Sequence, residues 1–236
     1  MKKILIAAMT VAALSVSAQS RFEPGTLTLQ PRLGFTGSML TNMPDLDLGL
    51  SKDLDATSIV GCFLGADLEY QFTNSVSVSA GLNWAQAGTG WEDAKINVSD
   101  EISATGASYS IKMKDIKAQT SYINLPIVVN WYVAKGFAVK AGVQFGYLTS
   151  AKTKLTLEVN EGGVNAKSDI DQSCKDEFNK FDLSIPIGLS YEFKKPFVID
   201  ARAIYGLTKV NKESVPGEDD SKNVIFALTV GYKFKL

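Results

Sequence analysis

Along residues 224–234 an apolar side chain occupies every second position: Val224, Phe226, Leu228, Val230, Tyr232 and Phe234. Ala227, Thr229, Gly231 and Lys233 stand between them. A strict period of two gives a strand one apolar and one polar face, which a helix cannot do. Eight stretches carry this pattern: roughly 26–39, 58–72, 75–88, 117–133, 137–150, 180–194, 197–210 and 223–235. Their connections alternate in length. Thr73-Asn74, Ala134-Lys135-Gly136 and Lys195-Pro196 are tight, whereas 40–57, 89–116, 151–179 and 211–222 are long. The pattern predicts an all-β fold, a closed antiparallel eight-stranded transmembrane β-barrel with four long extracellular loops and short periplasmic turns. An even strand number brings both ends of the barrel to the periplasmic side.

Alternation alone does not say which face points outward, because a soluble barrel would bury its apolar face. Three features choose the membrane. The polar parity is small, as in Ser75, Ser77, Ser79, Gly81, Asn83 and Ala85, and an eight-stranded interior has room only for side chains. Charges of both signs lie on that parity within the strands: Arg32, Asp67, Glu69, Lys140, Asp182, Glu192, Asp200, Arg202 and Lys233. Facing lipid, an Arg or Lys would cost about 2–4 kcal/mol near the midplane. Facing inward, opposite charges can pair and plug the lumen. Finally, aromatics on the apolar parity crowd the short turns: Tyr70, Phe72, Trp131, Phe137, Tyr191, Phe193, Phe197, Tyr232 and Phe234. They form one aromatic girdle at one interface. Trp84, Phe145, Tyr147 and Tyr205 outline a sparser second one. The membrane partner is therefore outer-membrane lipid.

The start of the chain has the form of an export signal. Lys2 and Lys3 precede an apolar run, Ile4 to Leu14, and the small residues Val16-Ser17-Ala18 form a cleavage site. Residues 1–18 are expected to be removed, leaving 19–236 as one outer-membrane β-barrel domain beginning at Gln19. Export leads to an oxidising compartment. Cys62 and Cys174 then have two alternatives: a disulfide at the loop end, or two free thiols with Cys62 on the lipid face. Pro31, Pro126 and Pro186 fall inside strands, where proline breaks a ladder. The matching settings Asn124-Leu125-Pro126-Ile127 and Ser184-Ile185-Pro186-Ile187 predict β-bulges, beyond which the parity could slip.

The chain contains no histidine. That removes Ser-His-Asp and Cys-His nucleophiles and histidine metal sites. Phosphate-loop, nucleophile-elbow and Cys-x-x-Cys motifs are missing too. With a formal charge of −1, the chain shows no basic surface for nucleic acid. Acidic groups gather in two loops, Asp45, Asp47, Asp53 and Asp55, then Glu218, Asp219 and Asp220, but their spacing fits no calcium loop. No catalytic residue, metal or cofactor is assigned. Alternation in 108–116 and 151–159 predicts strands projecting above the membrane, where loops contact other molecules. The reading is a non-enzymatic barrel with a structural or surface-interaction role, whose loop ligand the residues do not name.

Two segments carry a resemblance. Tyr122-Ile-Asn-Leu-Pro-Ile-Val-Val-Asn-Trp-Tyr132, with Gly136-Phe137 and Ala141-Gly142, is one. Asp182-Leu-Ser-Ile-Pro-Ile-Gly-Leu-Ser-Tyr-Glu-Phe193, with Ile199-Asp-Ala-Arg-Ala-Ile-Tyr-Gly-Leu-Thr208, is the other. They resemble PorT-like outer-membrane β-barrel proteins. The resemblance implies an eight-stranded porin-like barrel inserted by the barrel-assembly machinery, which usually reads a final strand ending in an aromatic. Here Phe234 is followed by Lys235 and Leu236. It also implies a part in protein secretion, so the alternative role for the barrel is a narrow pore or an accessory component of a protein-secretion system.

Overall fold

The structure, a computed structural model, describes residues 20–42, 54–98, 109–161, 164–194, 196–212 and 220–236. The expected export signal and Gln19 lie outside these residues, as do Asp45, Asp47, Asp53, Lys195, Glu218 and Asp219. Twelve strands follow in chain order: β1 (Leu27–Leu40), β2 (Ala56–Thr57), β3 (Ile59–Gln71), β4 (Val76–Trp91), β5 (Ala94–Val98), β6 (Tyr109–Ala134), β7 (Phe137–Glu161), β8 (Val164–Ser173), β9 (Phe181–Glu192), β10 (Phe197–Gly206), β11 (Asn223–Tyr232) and β12 (Phe234–Lys235). One 3₁₀ turn, Lys175–Glu177, precedes β9.

Antiparallel pairing runs β4-β3-β1-β11-β10-β9-β7-β6, and a β4–β6 pairing joins the two ends of this path. The result is a ring of eight strands without an edge. β12 continues β11 along β1 in one register, Arg32 opposite Gly231 and Thr28 opposite Lys235. The tight connections are those expected. Phe72 and Thr73 both donate to the Val76 carbonyl, Phe193 donates to Phe197, and Gly136 turns the β6–β7 hairpin at a φ of +76° that favours glycine.

Burial is inverted relative to a soluble barrel. Leu33, Phe35 and Leu228 are 57–66 % exposed, whereas Arg32, Asp67, Asp200 and Arg202 are 1–4 % exposed. An outer face of this kind is stable only against hydrocarbon, and closed strands can meet hydrocarbon because the ring pairs their backbone groups internally and leaves no open edge. The interior face is polar along most of its length.

The predicted proline bulges are absent. β4 and β6 pair Ala80 with Ile127 below Pro126 and Asn83 with Asn124 above it, in one register. β7 and β9 likewise pair Ala141 with Ile187 and Gln144 with Ser184 around Pro186. Both prolines lie buried on the inward face, and the parity does not slip. Each loses a ladder hydrogen bond without displacing the chain. Gly81 and Gly142 stand at the facing positions, and each is crowded from its other neighbour: a Cβ on Gly142 would run into the Ile127 carbonyl oxygen of β6, and one on Gly81 into Asp67 of β3. The register shifts that do occur interrupt the β6–β7 pairing between Lys114 and Lys117, between Ser121 and Tyr122, and between Tyr132 and Ala134.

β6 and β7 are 26 and 25 residues long, far beyond the ~9–11 a tilted strand needs to cross hydrocarbon. Above the ring they continue as a sheet flanked by β5 and β8. Segments 109–116 and 151–161 therefore do project, as their alternation predicts. The β8 pairing is an addition the sequence pattern did not signal.

Candidate functional site

Eight of the nine predicted interior charges meet inside the ring, in two layers. The middle layer joins β1, β3, β7 and β10. Arg202 donates to both carboxylate oxygens of Asp200, from Nε at 2.7 Å and from Nη2 at 3.0 Å. It also reaches across the lumen to Asp67 Oδ2 at 3.3 Å. Arg32 Nε lies 3.2 Å from the same Asp67 oxygen. Lys140 Nζ lies 2.7 Å from Asp200 Oδ2. Phe63, turned inward, closes this layer with the Arg32 guanidinium 4.6 Å from its ring centre.

The second layer lies nearer the short turns. Lys233 Nζ is 2.8 Å from Glu69 Oε2 and also pairs with Glu192. The Tyr132 hydroxyl contacts Glu69 Oε1 at 2.8 Å and Glu192 Oε1 at 2.5 Å. Ser77 donates to Glu69 Oε1 at 2.6 Å, and Asn130 Nδ2 donates to Ser77 at 2.9 Å. The middle layer holds three cations against two carboxylates, and this layer holds one cation against two. The two excesses have opposite sign and are stacked, so these eight charges together are neutral. Neutrality with close pairing is what allows buried charge to persist.

The ninth predicted charge stands elsewhere. Asp182 is half-buried at the loop end and has no cation partner among the described residues. Its carboxylate accepts from Ser184 Oγ at 2.9 Å, Thr208 Oγ1 at 3.3 Å and Asn223 Nδ2 at 3.3 Å. Parity put it inside correctly but carries no information about height. Around its height, between the middle charge layer and the loop end, an apolar cluster fills the lumen, including Leu40, Tyr122, Leu148, Phe178, Ile204 and Ile225. At the opposite mouth Arg21 donates from Nε to the Glu192 carbonyl at 2.6 Å, and the Phe22 ring lies 5.6 Å from Lys233 Nζ. Sequence reasoning missed Tyr132, Phe63, Arg21 and Phe22. The first two share the inward parity of Asn130 and Asp67, which would have revealed them. The last two lie outside any alternating stretch.

All nine girdle residues lie at the turn end on the outward parity, with Phe137 and Tyr232 half-buried and the others exposed. Edge-to-face contacts link Tyr70 to Phe72, Tyr191 to Phe193 and Phe197 to Tyr232. At the loop end Tyr147 packs on Phe181 with ring centres 5.3 Å apart, adding Phe181 to the second belt. The disulfide alternative fails. Cys62 and Cys174 are free thiols, and Cys62 is exposed on the lipid-facing parity of β3. Cys174 Sγ accepts a hydrogen bond from Thr153.

The faces of β6 and β7 exchange character above the second belt. Outward positions run Val143, Phe145 and Tyr147 below, then Lys152, Lys154, Thr156 and Glu158 above. Inward positions run Lys140 and Gln144 below, then Ala151, Leu155 and Leu157 above. In the projecting sheet the inward face is a small core of its own, with Leu54, Ala94 and Ile116 buried against Trp91, Met113 and Leu155. On the outward face Lys114 Nζ lies 2.8 Å from Glu158. That hydrogen bond raises the Lys114 pKa and lowers the Glu158 pKa. A strand that changes its greasy side halfway along passes from hydrocarbon into water at that point.

A family model for the outer membrane protein beta-barrel domain matches residues 17–212. The chain belongs to this family. It is a transmembrane barrel of the Gram-negative outer membrane, and the belts and face reversal described above mark its two interfaces. No curated protein matches the sequence. Among solved structures it is similar to neisserial surface protein A, at 13 % identity and a TM-score of 0.38, covering 88 % of this chain and 97 % of that one. It is similar to Ail, the attachment invasion locus protein of Yersinia pestis, at 18 % identity and a TM-score of 0.33, covering 89 % and 99 %. OprG of Pseudomonas aeruginosa aligns at 14 % identity and a TM-score of 0.37, covering 91 % and 98 %.

Proposed function

We propose that this barrel is a non-enzymatic, non-conducting outer-membrane protein whose lumen is plugged by side chains and whose working surface is the sheet it projects outside the cell. One observation carries the reading. Four acids and four bases pair inside the ring, with an apolar cluster above them and Arg21 and Phe22 below. An ion crossing the barrel would have to part these pairs one after another. The projecting β5-β6-β7-β8 sheet adds outer strands whose outer edges pair with no further strand among the described residues and suit a docking partner.

Export through a cleaved signal ending at Ala18 and insertion by the barrel-assembly machinery complete this reading. The PorT-like segments support placement in that narrower group, with an accessory role in protein secretion as the alternative. Planar-bilayer recording of the purified barrel tests the plug. The membrane should stay silent apart from brief, small events. Large, stable openings would contradict the plug and favour the narrow pore.

A further inference from the structure

β8 is an open edge of the projecting sheet. It pairs with β7 on one side and with no strand on the other among the described residues. Its register with β7 runs unbroken from Val164 opposite Glu161 to Ser173 opposite Lys152. Ala166 to Ser173 are all exposed. An open edge invites another strand, and proteins blunt such edges with prolines, bulges or very short strands. β8 is 10 residues long and has none of the three. It carries charge of both signs instead. Lys167, Asp169 and Asp171 mark its outward face. Ala166, Ser168 and Ile170 alternate with them on the inward face, where Ile170 stands beside Leu155.

The order of the signs selects what can dock. Two copies of β8 laid antiparallel fit in one register. With Ser168 opposite itself, Lys167 of each copy faces Asp169 of the other, and Ala166 faces Ile170. Moving the centre by one residue sets Lys167 against Lys167 or Asp169 against Asp169, and like charges directly opposite are destabilising. Within one chain Lys167 and Asp169 stand 3.7 Å apart, 61 % and 70 % exposed. Pairing therefore gathers four alternating charges and leaves none of them unmatched.

The fold also dictates where the second copy stands. Antiparallel copies are related by a two-fold axis perpendicular to the sheet. The sheet continues the barrel wall through β6 and β7, so that axis lies parallel to the membrane plane. Barrels inserted in one membrane all point the same way, and no such axis relates them. The second copy belongs to an apposed membrane. Ser168 faces Leu157, which lies ten positions beyond Tyr147 of the upper belt, one of them the extra residue of a register shift. At roughly 3.3 Å per residue and a tilt of about 45°, the centre of β8 stands ~20 Å above the belt, which sets the two belts ~40 Å apart. Headgroup layers of about 5–8 Å on each side fit within that gap.

We propose that β8 is a homophilic edge, which joins β8 of a second copy in an apposed outer membrane to make one continuous sheet. This deepens the surface-interaction reading and rests on it, while standing apart from the plug. One edge strand buries less than the ~1,200 Å² of a stable interface. Single contacts are therefore transient, and many copies on facing membranes act together.

The test mixes phosphatidylcholine vesicles carrying the full barrel and reads their clustering by light scattering. Wild-type vesicles should cluster, and raised salt should weaken the clustering. Lys167→Asp and Asp169→Lys, once shown folded by their heat-modifiable gel shift, should each slow it at least about tenfold, since like charges then face each other twice. Mixing vesicles of these two variants should restore clustering, because acids meet lysines again. With Cys62 and Cys174 replaced by serine, Ser168→Cys should crosslink vesicles on oxidation, and Gln172→Cys, far from its own copy in this register, should not. The crosslinking arm leaves the charges intact and stands even if a charge variant misfolds. Wild-type vesicles that stay apart, clustering indifferent to both charge reversals, a mixture of folded variants that fails to cluster, or equal crosslinking at 168 and 172 would overturn the inference. A barrel that conducts yet clusters contradicts the plug alone. A silent barrel that stays apart contradicts this edge alone.

Discussion

Without the Arg202 guanidinium, Asp67 keeps Arg32 as its only close cation, and Asp200 loses a two-pronged partner. Unpairing a buried charge in this way costs about 3–5 kcal/mol. Arg202→Ala should therefore lower the temperature at which the folded, heat-modifiable gel band is lost. An unchanged band would mean that these pairs do not support the barrel. Tyr132→Phe removes one hydroxyl between Glu69 and Glu192 and leaves the ring in place. Bonds to charged groups are worth about 1.5–3 kcal/mol each, so a loss near the low end is expected in urea unfolding. At this scale the sequence was informative wherever charge and parity coincided, as at Lys140 and Asp200. It is silent about height, which is why parity alone groups Asp182 with cations it does not meet. Tyrosine is ambiguous at this scale, because a girdle and a lumen both accept a ring with a polar tip. Only parity separates Tyr132 from Tyr191.

β7 is one strand in two solvents. The same outward face meets hydrocarbon at Val143 and water at Thr156. An arginine at Val143 should cost about 2–4 kcal/mol. At Thr156 the cost should stay within about 0.5 kcal/mol, as for other surface changes. Equal costs, measured by reversible unfolding in lipid, would contradict the reversal. Alternation on both sides of the boundary was legible in the sequence, since a period of two persists whichever face is greasy. The bulges were not. Proline marks a missing donor, but the chain passes Pro126 and Pro186 undisplaced. The real irregularities accompany Asp115, in the left-handed region at φ +53°, the polar stretch near Ser121, and the approach to the turn after Tyr132. β8 escaped notice because only Ile170, Ala166 and Val164 punctuate its polar sequence.

For the whole molecule, an even number of strands with alternating loop lengths requires antiparallel closure, and the β1–β11 and β4–β6 pairings provide it. On the proposed reading, a plugged ring with a projecting sheet separates two tasks. The interior charges hold the wall together, and the sheet meets the outside. The account depends most on hydrocarbon touching the outward face between the two aromatic belts. Amide NMR of the isotope-labelled barrel in nanodiscs, read with a nitroxide carried on the lipid tail and then with a water-soluble gadolinium chelate, tests this directly. The nitroxide should broaden β7 from Val139 to Tyr147 and spare Lys152 to Glu158, and the chelate should do the reverse. Broadening of Val139 to Tyr147 by the chelate, with no effect from the nitroxide, would contradict it.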